Sequence, residues 1–540
     1  MSPLPADPSS QSDHETTPLL GNVAAPRPEE SIHRGPTSDD QSQVNMFWEE
    51  LWILAKYALP VFGAHLLEYS LVIASVVSIG HISTTALAAI SLGSMTAGVT
   101  GFSIIQGLAS ALDTLLPSAW TSPQPQLVGL WAQRMTIVMS ISLVVSHLFE
   151  FTAPKRSADE EVPDSFSKPM FLIWFNAEKI LIFFKQDQQV AQLAGIYLRW
   201  VSIGLPGLFM IPTRIVMVVA PINVLLNWLL VWGPEPFGLG FIGAPIATAI
   251  SFNLISISSV LCGVFLAPHT AWHPISRRML TGFRILVNLG LSGVGQTASE
   301  WWAWELVTLA ASLLGPVALA TQSVLLVSAA TTNQAPLALS IASTVRIGNL
   351  LGEQKGKRAG VAANASIMLA FMTALIFSAM FLVFRFQWAY IFNSDPEVVK
   401  LVASILPLVA LFQVFDGIAG VTAGILRAEG KQFLGALLNA RYAIFSMFLL
   451  RDLEYYTLRN SAYYIFGIPL GVYLAFSKHY DLDGLWLGLT FSLVYCAVIG
   501  TWVCLRTDWD SQVRKVLQRL KEEDRRRVED ERRYAVAALQ

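Results

Sequence analysis

The sequence predicts an all-α membrane protein with twelve transmembrane helices in two six-helix lobes. Three observations predict it. The 540-residue chain is 54% hydrophobic and 14% charged, with mean hydropathy +0.52, whereas a soluble chain is about 25% charged. The charge is segregated: residues 1–50 and 507–540 hold 28 of the 74 charged side chains, and apolar runs recur between them. Those runs are roughly 20 residues long, the length that crosses a bilayer. Finally, the two halves of the middle repeat each other at an offset of 232–233 residues.

Residues 1–46 are rich in Pro, Ser, Asp and Glu without apolar periodicity, and read as a disordered cytosolic tail. They lack the basic and apolar regions of a cleavable signal peptide, so the first span is expected to serve as the membrane signal. Within the tail, Glu15 stands four residues before the pair Leu19 and Leu20. This resembles the acidic dileucine signal by which adaptor complexes sort cargo to vacuoles; a chance match is the alternative.

Twelve spans follow, near 51–80, 85–112, 127–149 (continuing into 170–184), 190–206, 209–232, 239–266, 283–311, 316–345, 361–384, 399–426, 432–450 (continuing into 461–476) and 483–505. The longer ones are accommodated by tilt. The segments after spans two, six, eight and ten carry Arg134; Arg277, Arg278 and Arg284; Lys355, Lys357 and Arg358; and Arg427 with Lys431, while the loops after spans nine and eleven are mixed, with Arg385, Asp395, Glu397 and Lys400, then Lys478, Asp481 and Asp483. The loops after spans one, five and seven carry no Lys or Arg. By the positive-inside rule both termini are cytosolic. The organisation is thus an N-lobe over 47–267, a polar linker over 268–282, a C-lobe over 283–506 and a charged cytosolic tail over 507–540. In that tail Val513, Val516, Leu517 and Leu520 recur at helical spacing. They suggest a solvated helix, or one resting on the membrane surface or a partner.

The repeat pairs Ala86-Leu-Ala-Ala-Ile-Ser91 with Ala318-Leu-Ala-Thr-Gln-Ser323, and Ala109-Ser110 with Ala342-Ser343. Six plus six spans in the same orientation imply halves related by an axis along the membrane normal, with the substrate site between them and alternating access by rocking.

Other classes find little support. Net charge is −2 and no basic patch lies beside aromatics, which argues against nucleic-acid binding. Cys262, Cys496 and Cys504 are scattered in apolar runs and read as small buried hydrophobes rather than a disulfide framework or metal site. No His/Asp, metal or nucleophile constellation supports an enzyme.

Several motifs carry a family resemblance. They are Glu300-Trp-Trp-Ala-Trp-Glu305, Leu314-Gly-Pro-Val-Ala-Leu-Ala-Thr-Gln-Ser323 and Ala342-Ser-Thr-Val-Arg-Ile-Gly-Asn-Leu-Leu-Gly352, with Gly107-Leu-Ala-Ser-Ala-Leu-Asp-Thr-Leu115, Gly424-Ile-Leu-Arg-Ala-Glu-Gly430 and Gly467-Ile-Pro-Leu-Gly471. Over roughly 50–506 the chain resembles the multidrug and toxic compound extrusion (MATE) family, in its eukaryotic, fungal-like branch. The resemblance implies a V-shaped monomer that exports organic cations or amphipathic compounds, driven by H⁺ in preference to Na⁺, with no other cofactor.

A carboxylate inside a bilayer is expensive and is a functional candidate by default. Glu68, Glu300, Glu305 and Asp416 lie within the spans. Burial disfavours the charged form of a carboxyl, so such a group can hold either a proton or a cationic substrate, which is the simplest basis for antiport. Glu300, Glu305 and Asp416 match carboxylates of the family's C-terminal lobe. A fourth, expected near Val327, is missing. Glu300 and Glu305 are about 140° apart on a helix, so one is expected to face substrate and the other a neighbouring helix. Trp301 and Trp304 are candidate walls for flat cations; Trp301, Trp302 and Trp304 cannot all face inward. Gln322 matches a family polar position. Asn223 and Asn227 could line the N-lobe cavity or bond between helices. Asp113 reads as a cap or gate at the end of span two.

Three places depart from the family. Charged residues near 150–168 interrupt span three, and Arg441 to Asn460 interrupt span eleven. At the bilayer centre each charge would cost ~2.5–3.5 kcal/mol, so these segments are expected to loop out. The connection at 206–208 is short; two spans with a tight turn are expected there. Together the three suggest misplaced exon boundaries. The expected function is H⁺-coupled export of organic cations at the vacuolar membrane, in preference to the plasma membrane. The alternatives are a lipid-linked flippase of the same superfamily, or a non-transporting scaffold if the insertions are real.

Overall fold

The computed structural model describes residues 39–80, 84–152, 170–183, 187–204, 213–234, 236–265, 270–392, 395–432 and 467–539. The Glu15–Leu20 signal, the charged segment 153–168, the connection at 206–208 and the segment 441–460 lie outside them. Among the described residues there is no β-strand.

Helix α1 spans Asp39–Gly80, 42 residues. It begins inside the expected disordered tail, which corrects that boundary. Phe47, Leu51 and Leu54 recur on one face and pack inward. Span two is one long helix in three parts: α2 (Thr84–Ala97), a π-helical turn (Gly98–Phe102) and α3 (Ser103–Trp120). It continues beyond the predicted end, so Asp113 lies within the helix rather than capping it. Its repeat partner, span eight, is α11 (Pro316–Gly352); both run for 37 residues.

The rest of the N-lobe comprises α4 (Leu127–Thr152), α5 (Met170–Phe175), α6 (Ala177–Phe183), α7 (Gln188–Ser202), α8 (Thr213–Trp232) and α9 (Gly243–Phe265). Spans four and five are thus separate helices, α7 and α8. Asp187 caps α7 by accepting from the N–H groups of Gln189 and Val190. The C-lobe comprises α10 (Phe283–Ser312), α11, α12 (Gly356–Val383), α13 (Pro396–Ala428), α14 (Ile468–Val472) and α15 (Asp481–Leu505). A final helix, α16, spans Trp509–Leu539.

Seven of the described helices are long and apolar enough to cross a bilayer: spans two, five, six, eight, nine, ten and twelve. Helix α10 has the length, but two carboxylates and three tryptophans lower its hydropathy. Large apolar side chains stay exposed on the outer faces, among them Val218, Leu225 and Trp228 of α8 and Met372, Ile376 and Val383 of α12. Such a belt would be a liability in water and suits lipid.

Each lobe has its own core. In the N-lobe, Leu130, Trp131, Trp174, Leu198 and Ile90 pack together. Trp174, after the interrupting segment, is fully buried and donates to Thr100 Oγ1 at 2.7 Å. In the C-lobe, Val307, Leu325, Phe381, Val402, Phe412 and Trp486 do the same. A third apolar cluster joins α1 to the C-lobe on the side where residues 39–50 and α16 lie, here termed the tail side; it contains Leu54, Ile347, Ala359, Ile425 and Val516. The linker belongs to the N-lobe: Ala271 and His273 are buried, and their carbonyls accept from Gly129 N–H at 3.1 Å and Gln133 Nε2 at 2.7 Å.

Candidate functional site

Among the described residues, the hydrogen bonds and ion pairs that join the lobes run from mid-span to the tail side. At mid-span the indole of Trp302 donates to Val99 O at 3.0 Å. That carbonyl belongs to the π-turn of span two, a distortion often found at functional sites. Trp301 lies against Gly98 of the same turn, where a Cβ would come within 3.0 Å of its ring. Towards the tail side Thr114 Oγ1 donates to Arg427 O at 2.6 Å, Gln432 Nε2 donates to Ser110 O at 2.9 Å, and Thr121 Oγ1 donates to Asn349 O at 2.7 Å. Asp113 reaches Arg427 Nε at 3.9 Å. At the end, Glu50 is bound by both Arg346 and Arg358, with Arg346 Nε and Nη2 each at 2.7 Å. The lobes are therefore clasped on the tail side of mid-span by these residues.

The C-lobe carboxylates sit above this clasp. Around α10, Gln296, Ala303 and Val307 face the lobe's core, while Trp302, Leu306 and Leu309 are exposed. At 100° per residue, Glu300, Trp304, Trp301 and Glu305 occupy the arc between. Glu300, Glu305 and Asp416 are each half-buried, and none makes a hydrogen bond or ion pair among the described residues. Glu300 and Asp416 stand within electrostatic reach of each other, with Cys496 beside both. Arg427 acts on Glu300 from the tail side. Glu305 is not part of that group, as expected from its position on the helix.

Beside this region, aromatic rings pack into the core of the C-lobe. Trp304 packs edge-on against Phe412 at 5.5 Å and Trp486 at 5.8 Å, and these two meet at 5.3 Å. Gln322 is fully buried and its Oε1 accepts from Trp486 Nε1 at 2.9 Å, fixing that ring. Gln413, one turn from Asp416, accepts from Thr332 Oγ1 at 2.9 Å. The amide nitrogens of Gln322 and Gln413 have no protein partner among the described residues.

The other candidates fall elsewhere. Glu68 meets His65 Nδ1 at 3.3 Å on its own helix. Asn223 and Asn227 are buried in an interhelical network: Asn223 Nδ2 donates to Ser251 Oγ at 2.9 Å, Asn227 Nδ2 to Asn223 Oδ1 at 3.2 Å, and Ser75 Oγ to Asn227 Oδ1 at 3.1 Å. This is the bonding alternative, not the cavity-lining one. Sequence reading missed Gln413, Thr332, Trp486 and Glu50, and counted Arg427 only as an orientation charge.

The site is thus a set of carboxylates without a hydrogen bond or ion pair among the described residues, beside an aromatic cluster, within a two-lobed helical membrane protein. The MatE family model matches residues 60–155, 166–229 and 294–450, and the chain belongs to this family of transporters. An uncharacterized transporter of Schizosaccharomyces pombe is 33% identical, over 95% of this chain and 91% of the relative. Protein DETOXIFICATION 13 of Arabidopsis thaliana is 31% identical, over 88% of this chain and 92% of the relative. The crystal structure of the eukaryotic MATE transporter AtDTX14 superposes with a TM-score of 0.75 at 26% identity, over 88% of this chain and 99% of that one. The fold is accordingly the family's twelve transmembrane helices in two lobes, and the protein is an integral membrane protein.

Proposed function

We propose that this transporter is a secondary active antiporter that exports organic cations or amphipathic compounds in exchange for H⁺ by alternating access. Glu300 and Asp416 hold either protons or the cation, Glu305 takes part as a third acidic group, and Trp301 and Trp304 offer faces to flat cations. The observation that carries this reading is the set of three half-buried carboxylates that make no hydrogen bond or ion pair among the described residues. A carboxylate already neutralised by a fixed arginine would have no need of a proton or a substrate. The name of the Arabidopsis relatives fits export of toxic compounds, and the chemistry here adds the preference for positive charge. The tail side is the cytosolic side on this reading, because the arginine- and lysine-bearing loops lie there.

The experiment is flux of a fluorescent organic cation in proteoliposomes under an imposed pH gradient. Wild-type protein is expected to move the cation against the proton gradient. Glu300→Gln, reconstituted and folded, is expected to lose the response; full ΔpH-driven flux by that variant would sink the C-lobe mechanism. For location we propose the vacuolar membrane, reached through Glu15, Leu19 and Leu20. Tagged Leu19→Ala/Leu20→Ala protein is expected to leave it, and unchanged imaging would remove that signal.

A further inference from the structure

Helix α16 is neither a free solvated helix nor one lying on lipid. Its first turns belong to the C-lobe. The Trp509 indole fills the space over Gly360, where a Cβ would lie 2.8 Å from the ring, and Val513 and Val516 are buried in the cluster with Ile347 and Ala359. Its middle turns belong to the N-lobe. Leu520 packs against both the N-lobe core and the tail-side cluster. Glu523 Oε2 then meets Arg134 Nη1 at 3.0 Å, with side chains only 5% and 1% exposed. Arg134 in turn lies 4.7 Å over the Trp131 ring. Such burial is exceptional for a charged pair and is tolerated only when both partners are present. The opposite face of α16 is charged and exposed at Arg514 and Arg525, so the helix can stand in water when released.

The connection from α15 to α16 is short, running from Arg506 to Asp508. Helix α16 must therefore travel with the C-lobe when the lobes rock, and its contact with the N-lobe at Leu520 and Glu523 is the one that must part. We propose that α16 is a strap across the tail side: docked, it holds the lobes closed there, and opening towards the cytosol requires the Arg134–Glu523 pair to separate. The strap rests on alternating access between the lobes but not on the carboxylate chemistry.

Its test uses the full chain in nanodiscs, with spin labels at exposed Gln126 of the N-lobe and Lys357 of the C-lobe and inter-label distances read by pulsed electron resonance, without substrate or pH gradient. Glu523→Arg is expected to raise the long-distance, tail-side-open population several-fold, and adding Arg134→Glu to restore the wild-type distribution. Leu520→Asp, which touches neither charge, is expected to give the same opening should the charge reversal fail to fold. Distances unchanged in the folded single variants would overturn the strap, as would a shift that the charge swap does not reverse. Cation flux by the wild type is a separate reading, so failure of export and failure of the strap are distinguishable.

Discussion

Glu50 is fully buried at the tail end of α1 and is bound by Arg346 and Arg358 of the other lobe. Burial pushes its carboxyl up, but the hydrogen bonds and charges of the two arginines outweigh this and hold it below the ordinary carboxylate range. An acid whose folded pKa is depressed stabilises the native state above the ordinary value and loses that contribution as pH falls through the folded one. Thermal stability is therefore expected to decline in acid below the carboxylate range, and less steeply in Glu50→Gln. Removing one partner of a buried pair costs about 3–5 kcal/mol, so Glu50→Gln is also expected to lower the melting temperature at neutral pH. An unchanged melting curve would show the triad to be idle. Glu300, Glu305 and Asp416 were legible in the sequence because an acid in an apolar run needs no partner to be noticed. Glu50 was not, because its partners lie 296 and 308 residues away and nothing local reveals them.

Helix α3 crosses α10 at a point where only small residues fit. A Cβ on Gly293 would come within 2.1 Å of Ser110 Oγ and 2.3 Å of Gly107 O, and one on Gly107 within 2.3 Å of Val294 Cα. Small residues let membrane helices approach backbone to backbone, and here they join span two of one lobe to span seven of the other. Gly293→Ala is expected to destabilise by about 1–3 kcal/mol, the range for overpacking, because the obstacle is backbone and cannot rotate away. A melting temperature equal to wild type would mean that the crossing tolerates separation. The span centres were readable from hydropathy, yet helix ends were missed in α1 and α3. Hydropathy marks the hydrocarbon, while the helices continue into water, held by Phe47 and Leu51 at one end and by Pro117, Ser118 and Thr121 against α11 at the other. The apolar stripe of α16 was likewise visible at Val513, Val516 and Leu520. Its binding surface was not, because that surface is assembled from both lobes.

At the scale of the molecule, the 232-residue offset of the sequence reappears as two 37-residue helices, α2–α3 and α11, in corresponding places. Glu300 has a counterpart at this offset, Glu68, which pairs with His65 on its own helix, whereas Glu305 stands opposite Val72 and Ile73. The N-lobe also holds the Ser75–Asn227–Asn223–Ser251 network, and the span carboxylates without a hydrogen bond or ion pair among the described residues lie in the C-lobe. On the proposed reading, this difference between the lobes puts the exchange of proton for substrate in the C-lobe and the movement between both lobes. If one set of carboxylates holds either a proton or a cation, binding of the cation must displace protons, and by linkage added protons must weaken cation binding by the same factor. The most direct measurement is proton release when a saturating organic cation is added to purified protein in weak buffer near neutral pH. The account predicts protons released by the wild type, and fewer or none in Glu300→Gln and Asp416→Asn. Cation binding with no proton released, or release undiminished in both variants, would contradict it.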